Sequence, residues 1–388
     1  MRILHIVGTI DPKAGGVSAA IRYLVAYDSA EYDHEIVSMD DPTAPFLSRI
    51  GVPVHAFGPT SSAYAYSSKL VPWLVANRDH FDGVFVHGLW GYGSLAAWRA
   101  FRGHTPYAVF VHGMLDSYFK HAFPLKHLKK WLYWHLVEYW VLRNAYKVLF
   151  TGDVEARLAK ESFWLHRWSP HVVALGTMAP EGDPEVLKEA FWSLCPQVRG
   201  RQFLLFLGRI HRKKGCDLLV DAFVKVAAEN PGLDLVVAGP DQEEWQFELM
   251  TRVATAGMTD RVHWVGMLQG DAKWGAYFAS EAFILPSHQE NFGIAVAEAL
   301  ACGRPVLLSD KVNIAPDIAA DGAGRMEPDT ADGTLRLLEG WVQMTAEARE
   351  AMGQQALLTF VQRYTMQTNA KAITHIFETV KGASVASR

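Results

Sequence analysis

Cysteine is nearly absent. Cys195, Cys216 and Cys302 are the three in 388 residues. They form no C-x-x-C pair and have no His at zinc-finger spacing, which excludes a disulfide framework and a structural zinc site and fits a reducing cytoplasm. Long hydrophobic runs are lacking as well. The opening MRILHIVGTID is interrupted by His5 and is too short for the apolar region of a signal peptide, so it reads as a first strand. The uncharged stretch 50–68 is rich in Gly, Pro and Ser, and the run 131–142 falls short of the roughly 20 apolar residues that a bilayer crossing needs. No segment is expected to span a membrane. Nor is there an excess of charge: 37 Lys+Arg against 41 Asp+Glu gives −4, and the molecule as a whole has no electrostatic reason to seek nucleic acid.

What is present is core material. Half the residues are hydrophobic and 20% are charged, the balance of a folded globular chain, and 388 residues at about 150 per domain give two domains. Short β-branched runs alternate with longer amphipathic ones: Ile3 to Gly8 followed by Val17 to Ala30, Glu35 to Met39, Val84 to His87 followed by Tyr92 to Phe101, Val109 to His112, and Lys147 to Phe150. After a loop-like stretch from about Met178 to Arg201 the rhythm restarts, with strands expected at Phe203 to Gly208, Leu233 to Gly239, Arg261 to Val265, Ala282 to Pro286 and Pro305 to Ser309. Apolar runs buried on both faces, each followed by a helical period, signal parallel βαβ units. The expected architecture is therefore two doubly wound α/β domains, 1–178 and 179–364, facing each other across a cleft, with a helix within 365–384 packing back on the first.

The pentapeptide Val-Phe-Val-His-Gly occurs twice, at 84–88 and 109–113. Each copy ends a strand in a His-Gly turn. The pair reads either as two histidines, His87 and His112, delivered to one sheet edge, or as two similar buried strands with solvated ends.

Three further patterns fall on strand ends or helix starts. Gly15-Gly16-Val17 separates the first strand from its helix, where Gly allows close backbone approach to a phosphate or simply makes the bend. Gly208-Arg209-Ile210-His211-Arg212-Lys213-Lys214-Gly215 places four cations after a strand, which suits an anionic partner such as a diphosphate or a solvated basic loop. Ser287 to Glu298 runs from a strand end through Glu290 into a helix start near Asn291 to Gly293, with Glu298 two turns in. Free amides at such a start hold phosphate, and a carboxylate can accept from sugar or ribose hydroxyls.

Taken in order, the Gly-Gly-Val loop, His112-Gly113, the G-R-x-x-x-x-K-G turn and the E-x7-E element with its Asn-Phe-Gly resemble the retaining glycosyltransferases of family four (glycosyl transferases group 1), whose architecture, GT-B, is two Rossmann-like domains. The resemblance implies an acceptor-binding first domain and a nucleotide-sugar donor-binding second domain. It implies that Arg209 and Lys214 hold the donor's diphosphate, that Glu290 contacts hydroxyls of the transferred sugar, that Glu298 contacts the ribose, and that His112 lies beside the donor sugar. Gly15, Gly16, Asn291, Phe292, Gly293 and Ile294 would complete the donor site, with His87 on the acceptor side. Two positions depart from the family pattern: Asn291 stands where Gly is common, and Asp317 where Glu is more usual.

No Asp-x-Asp occurs, so no metal and no cofactor is expected. The function implied is retaining transfer of a hexose from a nucleotide-diphosphate donor to a hydroxyl acceptor, a lipid-linked saccharide in surface polysaccharide biosynthesis. Alternatives are a sugar-nucleotide epimerase of the same architecture and a non-catalytic nucleotide-sugar binder. A nicotinamide dehydrogenase is disfavoured because the G-x-G-x-x-G fingerprint is missing.

The stretch from Tyr118 to Lys147 interleaves Lys126, Lys129, Lys130, Arg143 and Lys147 with Trp and Tyr. It reads either as a helix on an anionic bilayer, placing the protein peripherally at the inner face of a membrane, or as a core helix with a basic solvated face.

Overall fold

The structure, a computed structural model, describes residues 1–117, 120, 124–241 and 244–386. It divides into two compact units, Met1–Gly176 with the chain from Met366 onward, and Thr177–Thr365.

Among the described residues the first unit has a seven-stranded parallel sheet: β1 (Arg2–Ile6), β2 (Asp33–Ser38), β3 (Val54–Ala56), β4 (Gly83–His87), β5 (Tyr107–Phe110), β6 (Lys147–Phe150) and β7 (Pro170–Val172), in spatial order 3-2-1-4-5-6-7. Its helices are α1 (Gly16–Asp28), α2 (Leu70–Asn77), α3 (Tyr92–Phe101), α4 (Pro124–Tyr133), α5 (Tyr139–Asn144) and α6 (Asp153–Ser162). The central strands are buried on both faces, as their unbroken apolar runs require.

Among the described residues the second unit repeats the scheme with six strands, β8 (Gln202–Leu207), β9 (Leu233–Ala238), β10 (Val262–Gly266), β11 (Ala282–Leu285), β12 (Val306–Ser309) and β13 (Gly324–Glu327), in order 10-9-8-11-12-13. Around them lie α7 (Pro184–Trp192), α8 (Cys216–Glu229), α9 (Gln246–Thr255), α10 (Gly270–Ala279), α11 (Ile294–Ala301), α12 (Ala315–Ala320), α13 (Ala331–Val342) and α14 (Ala346–Thr359). In each sheet the strand order reverses once, between β1 and β4 and between β8 and β11, and ligands of such sheets bind outside the carboxyl ends at that reversal.

The last helix, α15 (Met366–Ala386), belongs to the first unit. Phe377 covers Gly83, where a Cβ would meet its ring at 2.4 Å, and packs tilted against Phe85 with ring centroids 4.8 Å apart.

Three strands lie outside the sequence expectation. β3 sits in the Gly- and Pro-rich stretch, β7 opens on Pro170 and is exposed throughout, and β13 is four residues long. Such short edge strands carry too little periodicity to stand out. The long helix expected between Tyr118 and Lys147 is interrupted. α4 passes through a π-helical segment, Trp134–Glu138, into α5, and Lys147 already begins β6. Tyr118, Phe119, His121, Ala122 and Phe123 of that stretch lie outside the described residues. Among the described residues no helix is long and apolar enough to cross a membrane.

Candidate functional site

In the second unit, β8 ends at Leu207 and the chain turns through Gly208 and Arg209 into a 3-10 turn, Arg212–Lys214, before α8. Gly215 closes that turn at φ 65°, and a Cβ there would lie 2.0 Å from the Pro286 carbonyl oxygen, so only Gly lets the turn sit against the end of β11. Hydrogen bonds tie the loops together: the Ser287 hydroxyl and the His288 amide both donate to the Lys213 carbonyl, each at 2.9 Å. The basic turn and the E-x7-E loop, 76 residues apart in sequence, are thus adjoining walls of one site.

At its centre Lys214 Nζ donates to Glu290 Oε2, with both side chains largely buried. The cations of the turn have different surroundings. Arg212 lies over Trp245 at 4.7 Å and within 3.7 Å of Glu248, and Arg209 is exposed. Burial, with the charges of Lys213 and Arg209 beside it, pulls the Lys214 ammonium down to about 7.

Glu290 is fixed through its backbone, its amide donating to Lys311 O at 2.9 Å and its carbonyl accepting from Asn313 N at 3.0 Å. Asn313 Nδ2 also donates to Asn291 Oδ1 at 3.2 Å, which gives this Asn a positioning contact that Gly could not make. Phe292 is buried with its ring edge-on to Tyr364 at 5.7 Å. Gly293, at φ 72°, caps α11, so the amides of Gly293 and Ile294 open the helix where the sequence reading placed a phosphate site. Glu298 is not the exposed helix residue that the spacing alone would allow. It is 4% exposed, ion-paired with Lys273 at 2.7 Å and accepting from the Tyr277 hydroxyl at 3.2 Å. Sequence reasoning missed Lys273 and Tyr277, because nothing in their local pattern separates them from ordinary helix residues.

The other candidates belong to the first unit. Gly15, at φ 94°, precedes α1, which begins at Gly16, and nothing lies within 4 Å of where its Cβ would be. Backbone conformation rather than crowding requires Gly there. His87 ends β4, and His112 follows β5 in the left-handed region at φ 50°. Their rings meet, His87 Nδ1 and His112 Nε2 lying 3.1 Å apart.

Each His-Gly turn is clamped by a buried glutamate. Glu155 accepts from Gly113 N at 2.6 Å and Glu138 from Trp90 N at 2.6 Å. Burial raises the Glu138 carboxyl to about 7, against the Trp90 and Ser94 hydrogen bonds and the nearby Lys130. These two carboxylates escaped the sequence reading, since each lies more than 40 residues from its turn. A larger hollow on the second unit, lined by Gln202, Glu281, Arg304 and Arg349, opens at the far edge of its sheet. Both arginines donate there to main-chain carbonyls.

Residues 172–358 match the family model of the glycosyl transferases group 1, and residues 15–176 that of the glycosyl transferase 4-like domain. The chain belongs to the group 1 glycosyltransferases. The lipopolysaccharide core biosynthesis mannosyltransferase LpsB of Rhizobium meliloti (strain 1021) is 34% identical over 113 residues, 28% of this chain and 32% of that protein. The phosphatidyl-myo-inositol mannosyltransferase of Mycolicibacterium smegmatis is 30% identical over 234 residues, 56% of each. The matches thus span from about a third to just over half the length of these curated relatives. The crystal structure of Anabaena HepE in complex with UDP and glucose superposes with TM-score 0.76 over 97% of this chain and 99% of that one at 17% identity, which establishes the GT-B fold of this group 1 glycosyltransferase.

Proposed function

We propose that this protein transfers a sugar from a nucleoside-diphosphate donor to a hydroxyl acceptor with retention of anomeric configuration and without a metal ion, the second unit gripping the donor and the first the acceptor. The observation that carries this reading is the buried Lys214–Glu290 pair at the strand-order reversal of the second sheet, beside Arg209 and the start of α11.

As the donor's C–O bond breaks, negative charge grows on the departing diphosphate. Arg209, Lys214 and the amides of Phe292, Gly293 and Ile294 stabilise it electrostatically, usually the largest catalytic contribution. Glu290 then exchanges its bond with Lys214 for hydroxyls of the sugar, and Glu298, held by Lys273 and Tyr277, accepts from the ribose. No protein nucleophile is required: the acceptor attacks the face that the leaving group vacates, and exclusion of water protects the reaction.

The first test is thermal stabilisation by UDP-, GDP- and ADP-sugars. A ligand at one hundred times its dissociation constant adds about 2.7 kcal/mol. The responding donor is next assayed for nucleoside diphosphate release. Release accelerated by a saccharide acceptor supports the transferase; conversion of the sugar without release indicates an epimerase, and neither event indicates a binder.

The acceptor side favours a lipid-linked saccharide at an anionic membrane surface, as in surface polysaccharide biosynthesis. Leu125, Leu128, Leu132 and Leu136 follow one another at helical spacing and are each at least 65% exposed, beside the exposed Lys126 and Lys129. A leucine stripe flanked by lysines is the composition of an interfacial helix. The aromatic part of the expected motif is divided: Trp134 and Tyr139 are core residues and Lys130 lies 4.6 Å over the Trp90 ring, whereas Trp140 is exposed.

A further inference from the structure

Four histidines of the first unit stand in file. His34 on β2, His5 on β1, His87 at the end of β4 and His112 beyond β5 all point to one face of the sheet. Register explains why: His5 lies opposite Ile36 and Phe85, each two residues from a histidine, and His87 lies opposite Phe110, two residues before His112. The row climbs one strand over and two residues up at each step, from the amino end of β2 to the carboxyl edge.

Every junction joins Nε2 of one ring to Nδ1 of the next. His112 Nε2 to His87 Nδ1 is 3.1 Å, His87 Nε2 to His5 Nδ1 is 3.0 Å, and His5 Nε2 to His34 Nδ1 is 3.0 Å. The centroids are 5.4, 5.3 and 5.2 Å apart, the separation of rings meeting edge to edge. Beyond the last ring, Asp28 Oδ2 lies 3.5 Å from His34 Nε2. Both atoms are buried and have no hydrogen bond among the described residues.

A neutral imidazole carries one N–H and one lone pair, so a head-to-tail row has two self-consistent states. With Asp28 ionised, His34 must present Nε2–H to it, and the demand passes ring by ring until His112 keeps Nδ1 unprotonated. With a donor in place of the carboxylate, every ring reverses and His112 presents Nδ1–H. Among the described residues His112 Nδ1 has no protein partner, and His112 and His87 line a small cavity with Ile21, Leu24, Phe110 and Ile373.

We propose that Asp28, His34, His5 and His87 form a proton relay that fixes the tautomer of His112 and lets its Nδ1 act as the base for the acceptor hydroxyl. The proposal rests on the transferase reading above. As the hydroxyl oxygen forms its bond to the anomeric carbon, its proton moves to His112 Nδ1. Nε2–H protons shift in turn from His112 to His87, to His5 and to His34, and the last reaches Asp28 Oδ2. The electron pair of the breaking C–O bond leaves with the diphosphate. The relay then holds one proton, which it returns through His112 to water once products depart.

Burial depresses His5, His87 and His112, the last to about 4, so the rings rest neutral. Among the described residues, the polar groups facing the row include Asp28 from α1 and Tyr32, which lies edge-on to His34 at 6.4 Å and bonds to Glu378 of α15. Glu35, one residue along β2 from His34, belongs to the other face. Asp28, His34 and His5 act as positioning residues; His112 is the catalytic one.

The test is long-range 1H–15N NMR of the histidine rings in the wild type, Asp28→Asn and His34→Gln, with kcat, KM and the pH profile of turnover measured in parallel. The wild type should show Nε2–H rings throughout. In Asp28→Asn the His112 signals should move to the Nδ1–H pattern and kcat should fall at least tenfold with KM unchanged. His34→Gln, which interrupts the row, covers the case in which Asp28→Asn fails to fold, and should likewise alter His112. His112 signals identical to wild type in a folded variant overturn the relay. Because that readout needs no substrate, it stands apart from failure of the transferase reading, which would appear as absent turnover in the wild type.

Discussion

Lys214 and Glu290 are each other's buried partner, so truncating one strands a charge in the interior, a loss worth about 3–5 kcal/mol. Glu290→Gln and Lys214→Met keep the side-chain volume that alanine would remove, so they delete the charge without also opening a cavity. Each should lower turnover by roughly 10²–10³, the usual effect of removing one charge-stabilising group, while the circular dichroism spectrum stays native. Turnover within threefold of wild type in both would remove this pair from the chemistry. A second expectation follows from the depressed Lys214. Burial weakens this ammonium's hold on its proton in the free protein, and a diphosphate beside it favours the charged form, so donor binding at pH 8 should take up protons. Calorimetric titration in buffers of different ionisation enthalpy should show net uptake at pH 8 and almost none at pH 6. Equal enthalpies in all buffers at pH 8 would mean that Lys214 stays charged in the free site. Metal-independent transfer is tested by adding EDTA, which should leave the rate unchanged.

At the scale of elements, strand ends and helix starts were legible because their chemistry is local. Gly15, Gly215 and Gly293 need φ above +60°, and a run of cations or an Asn-Phe-Gly at such a turn announces itself in sequence. Clamps were not legible. Glu138 and Glu155 reach turns more than 40 residues away, and Glu298 finds Lys273 only once α10 and α11 pack around β11. The repeated Val-Phe-Val-His-Gly marked His87 and His112, but His5 and His34 join the file through strand register, which no single segment encodes. Amphipathic α4 shows the same division: its basic and apolar residues are plain in sequence, whereas which of them face water is decided by the core that Trp134 enters. Its leucine stripe makes a distinct prediction. Vesicles containing anionic lipid should co-sediment the wild type, less so as salt rises, because each exposed Lys contributes about 1 kcal/mol and is screened within a Debye length. Lys126→Ala with Lys129→Ala should weaken binding, and Leu128→Gln with Leu132→Gln should nearly abolish it. Recovery that ignores all four substitutions would return α4 to a solvated surface helix.

For the whole molecule, the division at Gly176 and Thr365 implies two cores that melt with some independence, since each has its own sheet and helices. Two residues report on them separately. Phe377, on the helix that returns from the far end of the chain, is 1% exposed and packs over Gly83 and Phe85, so Phe377→Ala opens a cavity in the first core at a cost of about 3–5 kcal/mol. Asp234, at the start of β9, is fully buried and takes bonds from Arg201 at 2.6 and 2.7 Å, Arg261 at 2.8 Å and His263 at 3.0 Å. Burial alone would raise its carboxyl, but those bonds together outweigh it and hold the group well below the usual carboxylate range. A depressed acid stabilises the fold above its unfolded value, about 4, and loses that contribution as the pH falls below it. Urea unfolding at pH 7 followed by hydrogen exchange should therefore show Phe377→Ala weakening protection in β1, β4 and β5, and Asp234→Asn weakening β8, β9 and β10. The Asp234→Asn difference should shrink as the pH is lowered from 5 to 3, whereas the Phe377→Ala difference should not. If both substitutions lower protection equally across both sheets, the two units unfold as one, and the energetic separation argued from their contacts is wrong.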